Sequence, residues 1–265
     1  MEDAHVPTRQ PKVRLLDAAD KSSGYPAPYC QVSGAARGSF EPGHSLWVVK
    51  GALEDGATLA WGEDHGDEAI YVLSGALAAG ERLCEAGGSV QIEAGVAARL
   101  RAVGATELVH FGPQDARPPA TGPLGPAQGE DHALRIVGER EAALLSYEGP
   151  DQTVYEQRFF ADGTAPTSRI TFFSTASNKA SFAPPHQHSQ DEIIHVLSGE
   201  LHVGTLVVAP GASIAIAGDA RYSFTAPGPF LFLNYRRDVS YISAPDHPPM
   251  LETVAGMKDL SVPLD

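Results

Sequence analysis

Three side chains of metal-ligand type stand close together in the run Pro185-His186-Gln187-His188-Ser189-Gln190-Asp191-Glu192. In an extended strand, residues two apart point to the same side, so His186 and His188 share a face, and Glu192 keeps that parity four residues later. If that face is the interior of a small β-barrel, two imidazoles and a carboxylate converge as a tripod with open positions. Such a set suits non-heme Fe(II) first, and also Mn, Ni, Co or Zn. The competing expectation is a hydrogen-bonded polar cluster without metal, but burying these groups without a partner is costly.

The element that carries Glu192 occurs twice. Asp67-Glu68-Ala69-Ile70-Tyr71-Val72-Leu73-Ser74-Gly75-Ala76-Leu77 and Asp191-Glu192-Ile193-Ile194-His195-Val196-Leu197-Ser198-Gly199-Glu200-Leu201 agree at eight of eleven positions, 124 residues apart. The same offset pairs Gly80 with Gly204, Gly87 with Gly211, Ser89 with Ser213, Ile92 with Ile216, Gly104 with Gly228 and Phe111 with Tyr235. A repeat of this period is domain-sized and divides the 265 residues into two. Short β-rich runs such as 45–49, 69–73, 168–173 and 229–235, bounded by Gly, Pro and Asp, give an all-β texture. Leu73-Ser74-Gly75 and Leu197-Ser198-Gly199 are expected to be tight turns closing hairpins.

His186, His188, Glu192 and Gly199, in the pattern His-x-His-x3-Glu-x6-Gly, resemble the first signature motif of the cupins. The second is partly present, with Gly204 and Pro210 correctly spaced and Gly211 directly after Pro210. The resemblance implies a bicupin over about residues 40–245: two tandem jelly-roll-like barrels joined by a Pro/Gly-rich linker. Cupins usually add a fourth ligand, a His in the second motif. Here 217–224 has none, and Arg221 and Tyr222 stand closest to that position. Arg stays protonated and is no ligand, so Tyr222 is expected to coordinate as tyrosinate or to bond a metal-bound water or substrate.

In the first copy Gly62 and Asp64 stand opposite His186 and His188, and Glu68 alone is retained. His65 breaks the parity, so this copy is expected to be structural or substrate-shaping. Asn234, partner of His110 in the last strand, either faces the pocket and holds a substrate oxygen or satisfies backbone. His195 is expected on an outer face, Arg236 and Arg237 as a solvated pair at a strand end, and His247 in a surface loop. The aromatic residues of the second copy line the pocket or fill core.

The expected boundaries are an arm over 1–40, the first barrel over 41–113, a linker over 114–132, the metal-binding barrel over 133–250 and a tail over 251–265. In 114–129, four prolines and three glycines in sixteen residues exclude regular structure; 133–146 is expected to form a short helix. Nineteen basic against 33 acidic residues, a net charge of −14, argue against nucleic acid and anionic membrane as partners. Cys30 and Cys84 fit no metal or redox spacing and read as free thiols. With no basic-then-apolar start, the expected location is the cytoplasm, and edge-to-edge pairing of barrels points to a homodimer.

Three functions follow. The first is an Fe(II) dioxygenase acting on an oxygen-rich small molecule such as a diketone, catechol or enol. The second is an isomerase, lyase or hydrolase that uses a metal as Lewis acid. The third is a small-molecule binding or sensing module without turnover.

Overall fold

The computed structural model describes residues 11–16, 24–117, 122–148, 152–245 and 247–260. Among them the chain forms twenty-two strands and one seven-residue helix, Val254–Leu260. The strands make antiparallel sheets of nine, seven and six. The class is all-β, as the sequence implied. No helix among the described residues is long and apolar enough to cross a membrane.

The repeat reappears as strand register. Glu68–Ala79 lies between Ser89–Ile92 and Ala98–Pro113, and Glu192–Ser198 lies between Ser213–Ile216 and Phe230–Arg236. Glu68 opposes Ile92 as Glu192 opposes Ile216, and Ile70 opposes His110 as Ile194 opposes Asn234. Each half has its own apolar core, built around Trp47, Leu59 and Leu77 in the first and around Ile194, Val196 and Phe232 in the second.

A further cluster lies between the halves and obeys the same offset. Phe111 stacks on its repeat partner Tyr235 with centroids 5.5 Å apart, and Val48 and Phe172, Ala69 and Ile193, and Val109 and Leu233 enter as pairs. The repeated aspartates complete the contact. Asp67 accepts from Ala94 N at 2.7 Å and from Ser168 Oγ across the interface at 3.2 Å. Asp191 accepts from Gly218 N at 2.7 Å and from Ser45 Oγ across it at 2.6 Å. The two halves therefore meet as an isologous pair within one chain.

Several local expectations are corrected. Val13–Leu16, placed in an arm around the first half, pairs instead with Ser213–Ile216 of the second. Leu134–Val137 makes the reciprocal crossing onto Ser89–Ile92 of the first. The rest of the supposed arm also holds strands, Cys30–Ser33 and the start of Ala36–Pro42. The helix expected over 133–146 is replaced by Leu134–Val137 and Ala143–Glu148, because an open sheet edge and a buried site for Ile136 outweigh a marginal short helix. The described residues of 114–132 hold no strand or helix. Cys30 and Cys84 are free thiols.

Leu73-Ser74-Gly75 is a bulge and not a hairpin turn. Glu68–Ala79 runs through it with register shifts on either side of Ser74. Gly75 and its counterpart Gly199 have φ of 72° and 71°. A Cβ would stand 2.4 Å from Ala105 O at the first and 2.2 Å from Pro229 O at the second.

Candidate functional site

The interior of the second half holds a cavity of about 620 Å3. Strand alternation decides which side chains reach it. On Phe230–Arg236, the residues Phe230, Phe232, Asn234 and Arg236 line the cavity, while Leu233 and Tyr235 turn to the interface between the halves. His186 and His188 reach it from Ser181–His188, and Tyr222 from the start of Tyr222–Ala226. The five residues expected from the sequence, His186, His188, Glu192, Tyr222 and Asn234, do gather in one place.

Their bonding differs from a ligand tripod. Glu192 is buried, and both of its oxygens are engaged: Tyr222 donates to Oε1 at 2.7 Å, and Asn234 Nδ2 donates to Oε2 at 2.7 Å. Arg236 Nη2 also donates to Oε2, at 2.5 Å. The solvated strand-end arginine expected at 236 is thus buried, with its Cζ 5.6 Å above the Phe173 ring centre. Its Nη1 donates at 2.5 Å to Glu252, a residue of the supposed tail that enters the core. His188 Nδ1 lies 3.0 Å from Glu252 Oε2 but is poorly aligned for a hydrogen bond, and its Nε2 lies 4.0 Å from Glu192 Oε1.

Burial acts most strongly on Glu192 and by itself raises its pKa. Arg236, His188 and the bonds from Asn234 and Tyr222 outweigh it and bring the carboxyl from 4.5 down to about 2. Burial and the same carboxylate push Tyr222 well above its usual range, so it stays a protonated donor and not a tyrosinate. His186 shifts downward, through burial first and His188 second; its Nδ1 bonds Pro184 O at 2.7 Å. With the proton on Nδ1, Nε2 keeps its lone pair.

A divalent ion does not fit this arrangement. Among the described residues no group of three or more His, Cys, Asp or Glu is placed to hold one. A metal on Glu192 would displace one of three donors and stand beside a permanently charged guanidinium. At about 4 Å that repulsion is roughly 8 kcal/mol at an effective dielectric of ~20.

The sign of the Glu192 shift gives a testable pH dependence. Its folded pKa lies below the ordinary value, so its contribution to stability is complete above 4.5 and lost as pH falls from 4.5 towards 2. Urea midpoints should fall across that window in the native protein and much less in a Glu192→Gln variant.

In the first half the equivalent glutamate is held through one oxygen and without a guanidinium. Trp61 Nε1 and His110 Nε2 donate to Glu68 Oε2 at 2.8 and 2.7 Å, and Tyr25 OH bonds His110 Nδ1 at 2.9 Å. His65 lies buried between the carbonyls of Gly66 and Val96. His195, with parity opposite to Glu192, packs on the outer face of the second half as expected; it is buried there beside Lys50 and bonds Ser213 Oγ at 2.9 Å. His247 opens a strand, His247–Leu251, where a loop was expected.

No protein-family model matches the chain, and no curated protein matches it in sequence. Solved structures do. Protein YlbA from E. coli, assigned to the family DUF861, superposes with a TM-score of 0.58 at 13% identity, over 83% of this chain and 89% of that one. An oxalate decarboxylase from Bacillus subtilis gives 0.59 at 14%, over 87% and 78%. A formate complex of the enzyme from Lactobacillus farciminis gives 0.58 at 13%, over 82% and 88%. At such identities the likeness shows the fold alone.

Proposed function

We propose that the second half is an enzyme that binds a neutral, oxygen-rich small molecule in this cavity and moves a proton on it, as an isomerase or lyase does. The observation that carries this reading is the set of buried polar atoms lacking a protein partner. Gln157 Oε1, Thr175 Oγ1, Ser181 Oγ, Asn234 Oδ1 and Arg236 Nε all belong to residues lining the one cavity. Acceptors, hydroxyls and a cationic donor together suit a molecule carrying both hydroxyl and carbonyl groups. Two carboxylates share a single guanidinium at the floor, a balance that disfavours an anionic guest. Phe224, Phe230 and Phe232 supply apolar wall for its carbon skeleton.

His186 is the base in this reading. It borders the cavity, its free lone pair is on Nε2, and burial keeps it neutral at pH 7. Arg236 Nε supports the oxygen on which charge develops when a proton leaves the adjacent carbon. Exchange of that carbon-bound proton in D2O should therefore persist below the usual histidine range and fall as pH drops through the lowered pKa of His186.

The test is a thermal-shift screen of neutral hydroxyketones, enediols and sugars beside dicarboxylates, followed by exchange measured by NMR. A neutral ligand should raise the melting temperature, and His186→Ala should retain binding while exchange drops by about 10²-fold or more. Binding without exchange would make the half a binding module, and preference for dianions would sink the charge argument. The rival reading, an Fe(II) dioxygenase with His186, His188 and Glu192 on iron, rests on the ligand spacing and predicts oxygen uptake that stops with a chelator.

A further inference from the structure

We propose that Arg236 is the resident cation of this site: its guanidinium stands where the spacing of His186, His188 and Glu192 calls for a metal, and removing it turns the cavity floor into a divalent-metal site. The inference concerns the charge of the floor alone and holds whatever the cavity binds.

The repeat supplies the internal comparison. In the first half the position equivalent to Arg236 is Gly112, and a Cβ there would meet the buried Trp47 ring at 2.2 Å. Glu68 is then held by Trp61 and His110, with no guanidinium beside it. In the second half a second carboxylate, Glu252, enters from the strand–helix junction at the C-terminal end, and Arg236 bridges it to Glu192 with one nitrogen on each. A guanidinium presents its donors in a planar fork that serves two carboxylates at once. Without it, Glu192 and Glu252 would be left with His188 4.0 and 3.0 Å away, and side-chain rotation would bring His186, whose ring centre is 5.1 Å from that of His188, to the same space. Two buried carboxylates facing each other demand a cation, and two imidazoles complete a set of nitrogen and oxygen ligands that Zn, Co or Mn accepts.

The test compares native protein, Arg236→Ala and Arg236→Lys, each dialysed against Co2+ or Zn2+ and then against buffer. It reads metal by elemental analysis and the visible absorption of Co2+. The native protein and Arg236→Lys should hold below ~0.1 ion per chain, and Arg236→Ala about one, lost again when His186→Ala and His188→Ala are added. If Arg236→Ala does not fold, Arg236→Met, which keeps the length of the side chain, takes its place. A native protein carrying about one ion through His186 and His188 overturns the inference, as does a folded Arg236→Ala or Arg236→Met that takes up none. Neither result bears on proton exchange, so the two proposals fail separately.

Discussion

Replacing Glu192 by leucine should lower the unfolding free energy by about 3–5 kcal/mol, read as a fall in the urea midpoint. The loss does not come from one hydrogen bond. Leucine would strand the Tyr222 hydroxyl and the Asn234 amide as buried donors and leave half of a buried guanidinium without its counter-charge. Each orphaned donor adds desolvation cost that the native contact conceals. A Glu192→Leu, Arg236→Met, Glu252→Leu triple variant separates the pair's own worth from the penalty of breaking it. Swapping a whole buried ion cluster for apolar groups of similar volume is often neutral or stabilising, so the triple variant should recover most of the loss. If it is as unstable as the single variant, packing and not charge dominates this floor.

The second large effect is expected at the twin glycines. Gly75→Ala and Gly199→Ala should each cost about 2–5 kcal/mol, combining left-handed backbone strain with a forced contact. The strain alone is measurable at Gly204, where φ is 60° and a Cβ would meet nothing within 4 Å. Gly204→Ala should therefore cost only about 1–2 kcal/mol. The difference between it and Gly199→Ala reports the approach of Gly199 to the Pro229 carbonyl. Equal losses at the two positions would mean that the Phe230 strand yields easily, and the bulge would then not be what sets its distance.

Parity made much of the site legible. His186, His188 and Glu192 fall on one face because strand side chains alternate, and the position of Tyr222 relative to the second motif marked it as a neighbour. The same rule, carried from Asn234 to Arg236, puts the arginine on the cavity face; that signal was present, but an Arg-Arg pair at a strand end reads as solvated by composition. Glu252 had no such signal. Its pairing with Arg236 is a property of the assembled fold, made across 16 residues by a segment outside the repeat, and the Glu192 partnership spans 44. Local pattern reports which face a side chain takes, not which distant charge will neutralise it. The supposed arm and the 133–146 helix failed for a related reason, since a strand that pairs with the opposite half answers to an edge far away in sequence.

The crossing of Val13–Leu16 and Leu134–Val137 bears on how the connecting segment is able to be what it is. Each half caps the sheet of the other with its own leading strand, so the mutual orientation is fastened at two places by backbone hydrogen bonds and by the Asp67 and Asp191 contacts. The tether between them need carry no strand or helix of its own, which is why a stretch as rich in proline and glycine as 114–129 serves; its described residues fasten to both halves, Gln114 on the carbonyls of Gly43 and Leu46, and Gly125 and Pro126 through Arg169. Severed at that tether, each fragment would bare a sheet border that only its former companion is shaped to close.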